Sequence, residues 1–187
     1  EYMIMSGLFP FDNIKVALNH PIIQEKFIRE AKSLLRRIFG DRLCYSFIYG
    51  SFAQKKLDTE SDIDLMIILK SKVAEMNSFH DNYIKLCAGY NIRLDPKYPF
   101  EVFLENYVDK CTISGNKDIY HKNIEDIQEL LFAFLDNNIF ISGEKSNYLK
   151  HRRGIAQKII GENKIDNGQR EKSELKEIVK KYALSQR

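Results

Sequence analysis

Asp62 and Asp64 stand one residue apart at the head of an apolar run, Met66, Ile67, Ile68 and Leu69. A continuous run of that length reads as a strand covered on both faces. Side chains alternate across a strand, so the two carboxylates point to the same side. Like charges at that spacing repel each other unless a cation lies between them. Mg²⁺ suits such a pair: it is a hard ion that takes oxygen ligands and keeps waters and substrate phosphates in the rest of its shell. Upstream, a first apolar run ends in Gly50 and Ser51. Glycine lets a backbone approach a phosphate closely. Ser51 offers a hydroxyl and the first free N–H groups of a short helix, where anions bind well. The chemistry these residues suggest is a cation beside a phosphate.

Rival readings fail on particular residues. Asp58, Glu60, Asp62 and Asp64 alternate like the start of a calcium-binding EF-hand loop, but the required Gly and Glu are replaced by Ile63 and Leu69. No Gly-x-x-x-x-Gly-Lys phosphate loop is present. The four histidines lack metal-ligand spacing, and no nucleophile–base pair stands out for acyl transfer. An isolated Asp-x-Asp is commonly a solvated turn; here it is joined to two strand-length apolar runs and a Gly-Ser pair.

The elements that must hold these residues follow from periodicity. Phe9 to Asp12 is turn-like, and Ile14 to Leu18 starts a short helix. Residues 21–39 predict a helix opened by Pro21. Its apolar face is Ile23, Phe27, Ala31, Leu34, Leu35 and Ile38, and Gly40 follows as its terminator. Leu43 to Tyr49 is the first strand of the pair. Tyr49, beside Gly50, reads either as core or as a neighbour of a nucleotide. After Leu69 a helix is expected at about 78–88, capped by Ser78 and ended by Gly89, with Phe79, Tyr83, Leu86, Cys87 and Tyr90 on one face. His80, near its start, reads as a surface or cap residue. Further helices are expected at 117–137, with Ile124, Ile127, Leu131, Phe134 and Leu135 inward, at about 145–160, and at about 171–184 with a thin stripe of Ile178, Val179, Tyr182 and Ala183. Ile139 to Gly143 reads as a short strand or extended return.

Gly50-Ser51 followed by Ser61, Asp62, Ile63, Asp64 and Leu65 resembles the signature of the nucleotidyltransferase superfamily, the polymerase-beta-like fold, which includes aminoglycoside and minimal nucleotidyltransferases. The resemblance is specific over residues 47–69, looser over about 21–104 and weak beyond. It implies an α+β fold: a small mixed sheet flanked by helices, with a catalytic domain over 1–110 and a mainly helical C-terminal region over 111–187. It implies two Mg²⁺ ions, a nucleoside triphosphate, expected to be ATP, and transfer of the nucleoside monophosphate to an acceptor hydroxyl. Gly50 and Ser51 would cradle the phosphates. Lys55 and Lys56 are either triphosphate contacts or ordinary surface lysines. Asp62 and Asp64 would be metal ligands, joined by a third carboxylate that serves as general base. Two residues compete for that place. Asp95 opens a Pro-rich turn, a normal setting for Asp. Glu101 lies in an apolar run, where a charge needs a partner, and is favoured. Arg93 is a phosphate or substrate contact on the same segment.

The whole chain bounds these readings. It has 187 residues, 44% of them apolar, enough for one domain with a helical appendage. No apolar run is long enough to span a membrane and no signal-peptide pattern is seen, so a cytoplasmic protein without membrane partners is expected. Cys44, Cys87 and Cys111 read as small buried hydrophobes in a reducing compartment. The net charge of +3 hides an asymmetry: residues 144–187 hold twelve Lys or Arg against six Asp or Glu, and the first 143 hold seventeen against twenty. The basic tail, including Lys150, His151, Arg152 and Arg153, either follows RNA or is a solvated mixed-charge face. A small-molecule acceptor such as an aminoglycoside-type antibiotic is ranked first; RNA- or protein-modifying transferases and an antitoxin-like binding module are the alternatives. A monomer or a homodimer would serve.

Overall fold

The computed structural model describes residues 17–58, 60–92, 94, 99–113, 124–160 and 172–185. Its chain order starts with helix α1 (Pro21–Phe39), a 3₁₀ turn (Gly40–Arg42), strand β1 (Leu43–Tyr49), the short helix α2 (Gly50–Ala53), β2 (Asp64–Leu69) and α3 (Met76–Gly89). Then come β3 (Glu101–Leu104), α4 (Glu105–Ile113), α5 (Ile124–Leu135), β4 (Asn138–Gly143), α6 (Lys145–Ile160) and α7 (Lys172–Ser185). The strands form one mixed sheet in the order β3-β2-β1-β4. β1 pairs antiparallel with β2 and β4; β2 pairs parallel with β3. The parallel step is bridged by α3, as a parallel pair requires a crossover. The fold is α+β, as the sequence implies.

Every residue of β1 is buried because both faces of the sheet are covered. On the first face, Ile48, Leu65, Ile67 and Leu69 meet Phe27, Leu35 and Phe39 of α1 and Phe79, Tyr83 and Cys87 of α3. On the second, Tyr45, Phe47, Met66 and Ile68 meet Leu131 and Phe134 of α5 and Tyr148 and Ile155 of α6. Leu175 and Val179 of α7 complete that second core. Alternation along β1 sorts the residues onto the two faces, except that a register shift between Leu43 and Tyr45 turns both Cys44 and Tyr45 to the second face.

The expected helix 21–39 is α1, closed at Gly40 with φ of +50°. Phe39 is buried at its inner end, while Ile38 is only partly covered. α3 begins earlier than expected: Glu75 is the N-cap residue, Ser78 lies inside the first turns, and no side chain caps the end. Gly89 is the last helical residue rather than the left-handed turn; that conformation falls to Asn91, φ +58°. Asparagine tolerates it better than most residues. His80 is partly exposed, beside Asp81 at 3.2 Å. α4 has no counterpart in the sequence reading: among its described side chains the one fully buried apolar residue is Val108, too thin a stripe to reveal a helix. Residues 139–143 do form a strand, and β4 pairs with β1, so the latter half of the chain completes the sheet. Residues 1–16, 114–123 and 161–171, with the turn at Phe9, lie outside the described residues.

All three thiols are unpaired. Cys44 and Cys87 are buried and Cys111 is half-buried. Burial pushes Cys44 and Cys87 up to about 12 and Cys111 up to about 11. These are inert core groups. No described helix is long and apolar enough to cross a membrane.

Candidate active site

The two halves of the motif meet at one end of the sheet. β1 ends at Tyr49, which is paired with Asp64, the first residue of β2. Gly50 turns the chain into α2 with φ of +72°. A β-carbon built on Gly50 would fall on Asp64 Oδ2 and come within 3.3 Å of its carboxyl carbon. The Asp64 carboxylate therefore rests directly on the Gly50 backbone. Both the positive φ and this contact demand glycine.

Glu101 reaches the same face. It opens β3 and is paired with Met66, which shares its side of β2 with Asp64. Ile63 is buried in the first core with Leu65 and Ile67, which leaves Asp62 on the side of Asp64. Asp62 precedes the strand and is exposed; Asp64 and Glu101 are half-buried. Among the described residues, no three His, Cys, Asp or Glu side chains lie close enough together to hold a metal ion. The structure thus joins Asp64 with Gly50, sets Glu101 on their face, and leaves Asp62 exposed just ahead of β2. Asp95 and Arg93 lie outside the described residues.

Other groups support this end of the sheet. Gln24 of α1 is buried and donates from Nε2 to the Phe52 carbonyl at 2.9 Å. Asn19 donates to the Leu57 carbonyl at 2.8 Å and accepts from the Leu57 N–H at 2.9 Å. Asp58 Oδ1 accepts from the N–H groups of Glu60 and Ser61 at 3.0 and 2.8 Å, closing the loop before Asp62. Lys55, φ +56°, and Lys56 are exposed on the turn after α2. Their backbone N–H groups donate to Phe52 and Ser51 carbonyls at 3.1 and 2.9 Å. Ser51 itself is partly buried.

Tyr49 is a core residue that is also paired with Asp64. Its ring is buried, and its hydroxyl donates to Glu129 Oε1 of α5 at 2.7 Å. Burial, then the charge of Glu129, then that of Asp64 push its phenol well above the ordinary range, with Glu101 adding to them. Four acidic or phenolic groups from three strands and a helix therefore share one small region. Glu129 was not foreseen. It lies far from the motif in sequence, and nothing in the periodicity of α5 marks it.

A model of the polymerase beta nucleotidyltransferase family matches residues 41–165. The chain belongs to that family. The match takes in all four strands and α2 to α6. No curated protein matches the chain, and no solved structure matches it. The basic segment of α6 is divided between the interior and the surface. His151 is wholly buried: the Tyr45 phenol meets its Nδ1 at 2.5 Å and its Nε2 meets Asp109 Oδ1 at 3.0 Å. Both bonds are satisfied when the phenol donates to Nδ1 and Nε2–H donates to the carboxylate. Lys150 also pairs with Asp109, at 3.3 Å, and Arg152 donates to the Phe134 carbonyl at 3.2 Å. Lys150 and Arg153 of this group are exposed.

Proposed function

We propose that this nucleotidyltransferase-family protein moves a nucleoside monophosphate from a nucleoside triphosphate, ATP by preference, to an acceptor hydroxyl. The observation that carries the reading is the Asp64 carboxylate seated on Gly50, with Glu101 on the same face. A glycine that keeps room for one carboxylate oxygen, beside a second acid, fits an oxygen-ligated cation and a phosphate. Asp62, Asp64 and Glu101 are the residues that would hold Mg²⁺, two ions in the full reading, and the ions would have to draw them closer together than the structure sets them. When bound, Mg²⁺ supplies charge neutralisation for the triphosphate and stabilisation of the leaving oxygen.

The chain's own groups do the rest. Gly50 and Ser51 bind the phosphates through their backbone, and Lys55 reaches them from the turn. The acceptor oxygen attacks the α-phosphorus, the bond to the β-phosphate bridging oxygen breaks, and pyrophosphate leaves. Glu101 takes the hydroxyl proton. The protein's contribution is positioning and a fixed field around an in-line displacement.

For the acceptor, a small molecule carrying cationic groups, of the aminoglycoside type, is favoured. Asp62, Asp64, Glu101 and Glu129 together make this end of the sheet acidic. An RNA acceptor guided by the basic tail draws less support, because His151 and Arg152 are engaged within the fold and Lys150 is paired with Asp109. Unpaired, buried thiols agree with a cytoplasmic setting.

The test is pyrophosphate release from each Mg·NTP against kanamycin, lincomycin, tRNA and a protein lysate. Release that requires one acceptor and vanishes in Asp64→Asn supports the transferase. Silence with every nucleotide and acceptor, in a protein that also fails to bind Mg·ATP, favours the binding-module alternative.

A further inference from the structure

Tyr49 holds a place that the proposed reaction does not use. It is the last residue of β1, the neighbour of Gly50, and the ladder partner of both Asp64 and Asn138. Any shift of its backbone is passed to both halves of the motif. Its ring is 3% exposed, and its hydroxyl donates to Glu129 at 2.7 Å. A phenol buried so deeply must keep a partner, because an unmet hydroxyl is costly. That partner sits on α5, whose Ile127, Leu131 and Phe134 pack under β1. The bond therefore spans from the motif strand to the helix that lies over the site's face. Apolar packing holds α5 at roughly the right distance. A hydrogen bond adds direction, which a smooth apolar contact lacks.

We propose that Tyr49 and Glu129 are a positioning pair for nucleotidyl transfer, fixing α5 against the strand end that carries Gly50 and Asp64. The inference rests on the transferase reading. Three variants and one double variant separate its parts. Tyr49→Phe keeps the ring and removes the donor. Glu129→Ala removes the acceptor from a half-buried, tolerant position. Glu129→Gln keeps a carbonyl oxygen that accepts from Tyr49 while removing the charge.

The assay is pyrophosphate release with Mg·ATP and whichever of the acceptors named above gives the highest rate, beside urea unfolding of each variant. Misplacement of reacting groups by a fraction of an ångström is costly, so Tyr49→Phe and Glu129→Ala should each lower kcat about tenfold, with the KM for ATP within about twofold of wild type. The double variant should be no slower than either single one, since both remove the same bond. Glu129→Gln should recover most of the rate. Unchanged kcat in all variants, alongside lowered urea midpoints, would make the bond purely structural and overturn the proposal. Additive losses, or a Glu129→Gln variant as slow as Glu129→Ala, would overturn it as well. A folded wild type with no turnover at all would defeat the transferase reading first and the proposal with it, an outcome distinct from the others.

Discussion

The two ends of the central strands both carry acids and set them in different surroundings. At the far end, Lys70 follows β2 and pairs with Glu144 at 2.6 Å. Asn147 donates to both Glu144 and Glu105 at 2.9 Å and leans on the Cys44 sulfur at 3.6 Å. The acids there are answered by a lysine and an amide of the same chain. At the near end, Tyr49 lies in the combined field of Glu129, Asp64 and Glu101, and Asp64 is pressed against a glycine backbone. Grouping acids in this way costs electrostatic energy. Sites that concentrate one sign of charge are where function is to be sought.

The largest expected effect is at the near end. Asp64→Asn should lower pyrophosphate release by at least about a hundredfold, the scale of losing a group that stabilises charge in the transition state, with the fold intact by circular dichroism. Gly50→Ala comes next. It places a methyl on the Asp64 carboxylate at a positive φ, so it should cost about 1–3 kcal/mol in urea unfolding and abolish turnover. A smaller stability loss with full activity would dissolve the contrast between the ends. Inside the second core, Tyr45→Phe strips the buried His151 of its donor and should cost about 1–3 kcal/mol, without changing the KM for ATP.

Alkaline pH gives a graded test. The three thiols are raised from 9.0 by burial, to about 12, 12 and 11. The folded chain holds protons that the unfolded chain releases, so stability is intact below pH 9 and falls as pH rises from 9 towards 12. A flat urea midpoint over that range would contradict the buried thiols. The smallest effect belongs to the far end. Both partners of Lys70–Glu144 are nearly half exposed, so Lys70→Met should leave the urea midpoint and turnover close to those of the wild type.

What could be read from the sequence was what local pattern encodes. The 3.6-residue period of Ile23 to Leu35 and the unbroken run from Leu65 to Leu69 announce α1 and β2 without help from the rest of the chain. Gly50, Asp64 and Glu101 were visible as types at telling positions, and the structure supplies the contact that relates the first two. The rest was hidden because its signal is tertiary. Glu129 matters through a tyrosine eighty positions away. Asn19 and Gln24 act by holding backbone carbonyls of Leu57 and Phe52, which no periodicity predicts. His151, flanked by Lys150, Arg152 and Arg153, has the look of a basic surface patch; it is buried because Tyr45 and Asp109 satisfy both ring nitrogens.

Calorimetric titration of ATP into wild type, Asp64→Asn and Lys70→Met, with and without Mg²⁺, tests the central contrast most directly. The account predicts Mg²⁺-dependent binding by wild type and Lys70→Met, and its loss in Asp64→Asn. Equal binding by all three proteins, or none by the wild type, would contradict it.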